Sequence, residues 1–457
     1  MKHINADYIN KLIHKAEKEW PVEIEAILKK CKLLKRLNLY ETAILLSVKG
    51  PEYIERMLQT AKNVKQSIYG KRVVLFAPLY INNICKNFCT YCAFKADNKN
   101  VVRKKLTQDE IRQETLKLLK MGHKRVLMVS SEWSDKDIDH FVESIKTIYS
   151  VRYKKSRITR ININCAPLSV ESFKKLKETG IGTYQVFQET YHDDTYKKVH
   201  PKGPKSDSGK RIDAIDSAFK AGIDDVGIGV LYGLYDYKFE TLALLMHIEY
   251  LEKTYNVGPH TISVPRLEPA KGVDLSEHDK YRVSDDEFKK VIAALRLSVS
   301  YTGMILSTRE TPSMRDELFA LGVSQISAAS RTSPGGYSDE NNNVKQFDLS
   351  DHRSLDDVIA SLLDKKTIPS FCTACYRKHR TGETFMNLAK PGTIKGKCQI
   401  NALITLKEYL DDFAREATKQ KGYALIQSVS QTLNTGERER LDIFFKSIQN
   451  GTRDECI

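Results

Sequence analysis

The chain has 457 residues, a formal net charge of +15 and nine cysteines. This length suits one barrel-sized domain with extensions, or two to three smaller domains. No stretch reaches the roughly 18 apolar residues of a membrane span, and Met1–Asp7 is polar, unlike a signal peptide, so we expect a cytoplasmic protein with no membrane partner. Basic residues are mostly interleaved with acids, as in Glu23–Lys30, which favours a solvated surface over nucleic-acid binding and leaves an acidic protein partner open.

The first 70 residues predict helices. Ile9, Leu12, Ile13 and Ala16 recur at helical spacing, and further short helices follow on either side of Gly50. We therefore predict an N-terminal helical extension over residues 1–70.

From residue 71, short apolar runs alternate with amphipathic stretches. Eight runs predict strands: Val73–Tyr80, Arg125–Ser130, Arg160–Leu168, Gly182–Phe187, Asp225–Leu234, His260–Arg266, Met304–Ser307 and Ser324–Ala328. Eight strands alternating with helices favour an α/β fold of the (β/α)8 TIM-barrel type over a doubly wound sheet. We place this barrel at residues 71–340 and a C-terminal, largely helical, cluster-binding region at 341–457.

Six of the nine cysteines form two sets of three. The first set, Cys85-x3-Cys89-x2-Cys92, directly follows the first predicted strand, at the barrel face where active sites form. Three thiolates can hold three irons of a [4Fe–4S] cluster and leave the fourth iron open to a small chelate, such as the amino and carboxylate groups of S-adenosylmethionine. The alternative is a zinc site completed from afar, although zinc motifs normally pair two C-x2-C units or add histidines.

The second set is Cys372-x2-Cys375-x22-Cys398. Its spacing fits a second open cluster, and it also permits a structural zinc site completed by His379. Cys456 has no cluster spacing, and we place it in a frayed tail.

The C-x3-C-x-aromatic-C form, with Tyr91 as the aromatic residue, resembles the radical S-adenosylmethionine superfamily. The resemblance implies that Glu132 receives the methionyl amino group and that Arg211 binds the methionyl carboxylate. It also places Glu189 in the cofactor or substrate pocket. Ser131 departs from the glycine that close relatives carry before this glutamate.

The second cysteine set narrows the resemblance. Together with Ser370–Arg377 and motifs along the barrel, it resembles the HydG family of [FeFe]-hydrogenase maturases, over roughly residues 5 to 425. The barrel motifs are Leu75–Tyr80, Met121–Arg125, Tyr184–His192, Gly227–Gly233, Pro259–Arg266, Leu306–Glu310 and Ser324–Ala328. The resemblance implies an auxiliary [4Fe–4S] cluster on Cys372, Cys375 and Cys398, whose open iron connects through a bound cysteine to an additional iron. His260 would ligate that iron; otherwise it is a capping or core histidine.

The implied reaction cleaves L-tyrosine to p-cresol and dehydroglycine, which becomes carbon monoxide and cyanide at the auxiliary cluster. The product would be an Fe(CO)(CN) unit for the hydrogenase H-cluster. Arg309 is our first choice for the tyrosine carboxylate and Arg315 the second, with Ser327 and Ser330 orienting the substrate. Implied partners are L-cysteine, the scaffold GTPase and second radical SAM enzyme of hydrogenase maturation, and an electron donor.

Two alternatives remain open. One is a thiamine-pathway tyrosine lyase that makes dehydroglycine only, because such lyases share the barrel motifs but lack the second cysteine set. The other is a non-catalytic iron–sulfur scaffold or carrier.

Overall fold

A closed ring of eight parallel strands forms the centre of the computed structural model, which describes residues 1–132, 134–339 and 344–457. The strands follow the order β2 to β8, then β1, and β1 pairs with both β8 and β2. They are β1 Arg72–Asn82, β2 Arg125–Ser130, β3 Arg160–Asn164, β4 Tyr184–Gln185, β5 Val226–Gly229, β6 Thr261–Ser263, β7 Gly303–Leu306 and β8 Gln325–Ser327. The predicted TIM-type barrel is confirmed. The predicted boundary between residues 340 and 341 lies outside the described residues.

Helices surround the barrel and extend it at both ends of the chain. They are α1 Ala6–Lys32, α2 Leu39–Ser47, α3 Pro51–Tyr69, α4 Gln108–Met121, α5 Ile138–Ser150, α6 Val170–Glu178, α7 Asp193–Val199, α8 Ser208–Ile212, α9 Ala214–Lys220, α10 Tyr237–Tyr255, α11 Asp285–Ser298, α12 Pro312–Leu321, α13 Leu355–Asp364, α14 Ala374–Arg377, α15 Gly382–Ala389, α16 Ile394–Asp412, α17 Glu416–Ser430 and α18 Thr435–Gln449. Within the described ranges, none of them is long and apolar enough to cross a membrane.

The N-terminal helices begin at good capping residues and pack their apolar faces inward. The Asn5 side chain caps α1, and Asn38 and Glu41 form a reciprocal capping box at α2. These helices pack on each other and on α10, α11 and α16. They therefore cover one flank of the barrel.

A short ninth strand ties the C-terminal region to the barrel. This strand, β9 Ile368–Ser370, pairs in parallel with the first residues of β1, Arg72–Val74. The sequence did not predict it because it has only three residues and contains Pro369, which is unfavourable in most strands. Since Cys372 follows two residues after β9, the pairing fixes the second cysteine set against the start of β1.

The last residues of the chain are packed, so the predicted frayed tail is wrong. The Lys124 ammonium lies 2.8 Å from an Asp454 carboxylate oxygen, and the Ile457 amide donates to Asn401 at 3.0 Å. Arg380 donates to the Ile457 carbonyl oxygen at 2.7 Å. These polar contacts supply fixed partners that the sequence pattern of the tail does not reveal.

Candidate active site

A cavity with about 1360 Å³ of empty space, including its open mouth, lies at the C-terminal ends of the strands. Its walls bring together most of the residues that the sequence analysis selected. Those in the lining are Cys85, Cys89, Cys92, Tyr91, Glu132, Glu189, Arg211, Arg309, Ser327 and Ser330. Arg315, His260 and the second cysteine set are not part of this lining.

The first cysteine loop is a tight turn that is fixed by one hydrogen bond within it and by another from the segment around Lys205. The Cys92 amide donates to the Cys89 carbonyl oxygen at 3.3 Å, and Asn87 accepts from the Lys205 amide at 2.8 Å. Burial raises the pKa of the Cys89 thiol to about 12 and also raises that of Cys92. Their protons must therefore leave when a metal binds. Three unpaired sulfur donors facing one cavity fit an iron–sulfur cluster.

Lys205 is a buried cation beside this loop that the sequence analysis missed. Its ammonium lies 2.7 Å from Glu189 and 2.9 Å from the Tyr91 hydroxyl, which also lies 2.8 Å from His200 Nε2. Burial alone would raise the pKa of Glu189, but Lys205 and Arg211 hold it below its ordinary value. The network therefore keeps the Glu189 carboxylate charged inside the cavity wall, beside the Lys205 side chain.

The backbone around Glu189 is fixed from behind by a second glutamate. Glu189 has φ +70°, an uncommon conformation for a residue with a side chain. The fully buried Glu240 accepts hydrogen bonds from the Thr190 hydroxyl and, at 2.8 Å, from the Tyr191 amide. Burial raises the pKa of Glu240 to about 8. Glu240 is therefore mostly neutral at pH 7 and holds the segment that presents Glu189.

Glu132 and Arg211 both line the cavity, close enough for their charges to interact. Arg211 donates through Nε to the Phe187 carbonyl oxygen at 2.7 Å, whereas its Nη1 is buried and has no partner among the described residues. Burial alone would lower the pKa of Arg211, but neighbouring groups, Glu132 among them, raise it. A buried donor with nothing to bond is costly, so Arg211 has capacity for an anionic ligand.

Ser131, which departs from the glycine expected from the resemblance, makes a hydrogen bond through its side chain. Its hydroxyl donates to the Ile84 carbonyl oxygen at 2.8 Å. Because Ile84 precedes Cys85, this serine attaches the end of β2 to the cysteine loop.

The two candidate arginines occupy different environments. Arg309 lines the cavity, stacks 3.4 Å from the centre of the Phe347 ring and donates through Nη1 to the Arg266 carbonyl oxygen at 3.2 Å. Arg315 is fully buried and donates to Asp351 and to the Ser327 carbonyl oxygen. The structure therefore does not bring Arg315 to the cavity, because its Nη1 and Nη2 already donate to Asp351 and Ser327 outside the lining.

The second cysteine set lies at the opposite end of the barrel, beside the start of β1. The Cys372 sulfur accepts from the Ala374 amide at 3.3 Å. Burial raises the pKa of Cys372 to about 12 and that of Cys398 above its ordinary value, while the nearby Arg72 opposes both shifts. Among the described residues, no three His, Cys, Asp or Glu side chains converge as the ligands of a single metal ion do. A cubane cluster instead takes each thiolate on a different iron, and three neighbouring sulfur donors with a cation suit that chemistry.

His260 lies at the same end of the barrel, directly before β6. Its Nδ1 is 3.7 Å from Asp225, and its ring packs 4.2 Å from that of Phe385. Burial lowers the pKa of His260 to about 4, although Asp225 opposes the shift. The imidazole is therefore neutral at pH 7, as a metal ligand must be. His379, the fourth ligand of the zinc alternative, is exposed.

Comparisons with known proteins agree with this architecture. Residues 79–247 match the radical SAM superfamily, and residues 263–367 match the Biotin and Thiamin Synthesis associated domain. The 2-iminoacetate synthase of Salmonella typhimurium is 33% identical over 320 residues, which cover 70% of this chain and 82% of that protein.

Two solved structures match more of the chain. A crystal structure of HydG, a maturase of the [FeFe]-hydrogenase, is 45% identical, covers 100% of both chains and has a TM-score of 0.97. HydG from Carboxydothermus hydrogenoformans is 40% identical and covers 96% of this chain and 97% of its own, with a TM-score of 0.84.

The barrel, with a cysteine triplet at the mouth of its cavity, defines a radical SAM enzyme, a class that uses S-adenosylmethionine and a [4Fe–4S] cluster. The agreement over the whole length extends past the barrel to the second cysteine set. The chain belongs to the HydG family of hydrogenase maturases.

Proposed function

We propose that this chain cleaves L-tyrosine to p-cresol and dehydroglycine, and that it converts dehydroglycine to carbon monoxide and cyanide for an Fe(CO)(CN) unit of the hydrogenase H-cluster. The observation that carries this proposal is the presence of two cysteine triplets at opposite ends of one barrel. A lyase that released dehydroglycine as its final product would need only the first.

At the first site, Cys85, Cys89 and Cys92 would hold the radical SAM cluster. When bound, the cluster supplies the electron that splits S-adenosylmethionine into methionine and a 5′-deoxyadenosyl radical. Glu132 would accept hydrogen bonds from the methionyl amino group, and the unpartnered Nη1 of Arg211 would bind the methionyl carboxylate.

Tyrosine would lie deeper in the same cavity. Arg309 offers a planar guanidinium for the substrate carboxylate, and its stacking on Phe347 fixes the plane. The buried Ser330 hydroxyl lines the cavity and has no partner in the described part of the chain, so it can orient the amino group from which hydrogen is abstracted. Glu189, held by Lys205, would keep a fixed negative charge in the cavity wall.

The barrel interior supports transfer of a small polar fragment between the two sites. Side chains from alternate strands meet there, as in other barrels. In this chain that layer is polar: Gln185 contacts Thr261 at 3.4 Å, and Arg160 bonds Asn162 at 2.9 Å and Asp225 at 2.8 Å. Such groups can hydrogen-bond a carboxylate or an imine, which the usual branched apolar residues cannot.

At the second site, Cys372, Cys375 and Cys398 would hold the auxiliary [4Fe–4S] cluster. The neutral imidazole of His260 would ligate the additional iron, which a bound L-cysteine would bridge to the cluster. The scaffold GTPase and second radical SAM enzyme of hydrogenase maturation would be partners.

The decisive experiment separates the two reactions. Cys398→Ala is expected to retain p-cresol formation and to lose carbon monoxide, which a haem protein traps quantitatively. Cys456→Ala is the matched control, because this cysteine lies in the same region without cluster spacing, and it should retain both products. If Cys398→Ala also lost p-cresol, the proposed division between the two sites would be wrong.

A second candidate function is a lyase that makes dehydroglycine only, which the similarity to 2-iminoacetate synthase favours. An iron count with electron paramagnetic resonance distinguishes the two. Two clusters require roughly eight or nine irons per chain, whereas about four irons support the simpler lyase.

A further inference from the structure

We infer that residues 453–457 form a releasable strap over the second cysteine site, and that iron with its bound amino acid enters and leaves that site beneath the strap. The identity of these guests rests on the proposed function. The position of the strap and the contacts that hold it do not depend on that function.

The strap is half-buried and is bonded to the loop that carries Cys375. Arg377, two residues after this cysteine, donates to the Asp454 carbonyl oxygen at 2.5 Å. Arg380 donates to the Ile457 carbonyl oxygen at 2.7 Å. Two side chains of the cysteine loop therefore hold the backbone of the strap near both of its ends.

The strap is also bonded to α16, the helix that carries Cys398. Arg453, its first residue, donates to the two Asp412 carboxylate oxygens at 2.7 and 2.8 Å. The Ile457 amide donates at 3.0 Å to Asn401, which lies three residues after Cys398. The strap therefore crosses from one arm of the second cysteine set to the other.

A small cavity lies beneath the strap. It has about 240 Å³ of empty space, and Asp454, Glu455 and Cys456 of the strap form part of its wall. Cys372 lies in the same lining. Lifting the strap would therefore open the cavity beside a proposed cluster ligand to solvent.

The other end of the barrel is a poor route for the guests of this site. S-adenosylmethionine and tyrosine would fill the cavity there. The barrel interior between the two ends is occupied by buried side chains, among them Gln185, Thr261 and Arg160. Iron with a bound amino acid is bulkier than the dehydroglycine fragment, so its passage is expected at the end of the barrel that the strap covers.

The contacts of the strap can be released without leaving a buried charge unpaired. The Lys124 ammonium contacts two carboxylates, that of Asp454 at 2.8 Å and that of Glu408. When the strap lifts, Asp454 reaches water and Lys124 keeps Glu408, which avoids the large cost of an uncompensated buried charge. The bonds from Arg377 and Arg380 end on neutral carbonyl oxygens, which water can replace. Asp454 also has φ +64°, an uncommon conformation that the closed contacts maintain.

The first test uses the metal-free protein. Alkylation by iodoacetamide is followed at constant pH, one cysteine at a time, by mass spectrometry. Asp454→Asn should raise the alkylation rate of Cys372 roughly tenfold, which is the difference between a hydrogen bond to a charged group and one to a neutral group. Deletion of residues 453–457 should raise the rate further. Cys89, at the other end of the barrel, should react as it does in the wild type.

Asp364→Asn is the matched control. It removes an equal charge from an exposed pair with Lys421, at 2.8 Å, elsewhere in the C-terminal region, and should leave Cys372 alkylation unchanged. The buried Cys165 reports global unfolding, because it reacts only when the barrel opens. Unchanged Cys372 alkylation in both strap variants, or a rise that Cys165 matches in both, would overturn the strap.

The second test uses the cluster-loaded enzyme. Asp454→Asn should lose iron from the second site to the chelator ferrozine faster than the wild type does, with the first-site cluster as the internal reference. Unchanged iron loss in a protein whose Cys372 alkylation does rise would overturn the route. Neither measurement depends on turnover, so an enzyme that makes no carbon monoxide would count against the proposed function and leave both results standing.

Discussion

Replacing Arg309 by lysine is the sharpest test of how the cavity binds tyrosine. Arg309 lines the cavity with a guanidinium whose plane is fixed by Phe347 and whose Nη1 is anchored on the Arg266 carbonyl oxygen. Lysine keeps the positive charge but loses the planar fork. The variant therefore isolates the second hydrogen bond to the carboxylate from the charge itself.

The expected loss follows from that one bond. A hydrogen bond to a charged group contributes about 1.5–3 kcal/mol, which corresponds to a roughly 10- to 150-fold higher dissociation constant for tyrosine. Affinity is measured by equilibrium dialysis with labelled tyrosine in the presence of S-adenosylmethionine. Binding of S-adenosylmethionine alone should not change.

Arg315→Lys is the matched control. Arg315 is buried against Asp351 and the Ser327 carbonyl oxygen, outside the cavity lining. Its replacement should reduce thermal stability while leaving tyrosine affinity near the wild-type value. The reasoning would be refuted if Arg309→Lys bound tyrosine normally and Arg315→Lys did not.

The remaining predictions concern groups buried behind the two sites. The pKa of Glu240 is raised in the folded state, so its contribution to stability is complete below pH 4.5 and is lost as the pH rises through about 8. Glu240→Gln should remove this pH dependence, which amounts to on the order of 3–5 kcal/mol. A constant stability difference between the two proteins from pH 5 to pH 9 would contradict it. Lys205→Met should destabilise the apo protein by roughly 1–3 kcal/mol, because the partly buried Glu189 carboxylate loses its ammonium partner. The double variant with Glu189→Gln should recover most of this loss in thermal melts, and additive losses would disprove the coupling. His260→Ala should keep p-cresol formation and about eight irons but release no carbon monoxide, and normal release would exclude it as a ligand of the additional iron.

The barrel was predictable because eight short apolar runs alternate along the chain with amphipathic helical stretches. All eight predicted strands contain an observed strand or overlap it, and the first cysteine loop lies at the predicted end of the barrel. The sequence did not predict strand β9, because three residues are too few to show a periodic pattern. Its pairing with Arg72–Val74 comes from tertiary structure nearly three hundred residues away in sequence.

The candidate site shows where reasoning from sequence stops. Lys205 resembles any surface lysine in the sequence, and the partner that marks its role, Tyr91, is 114 residues away. Likewise, the sequence ranks Arg309 before Arg315 as the carboxylate ligand but excludes neither, until packing shows that Asp351 already pairs with Arg315. Motifs locate residue types, whereas burial and partners decide which of them stay available.

The length of strand β1 also measures the distance between the two cysteine sets. Its first residue, Arg72, neighbours Cys398, and its last, Asn82, is three positions before Cys85. Eleven residues of extended chain span about 33 Å. Electron tunnelling through protein is slow over such a length. We therefore expect clusters held at the two ends to act as separate redox centres, and the fragment made at the first site to reach the second only by diffusion.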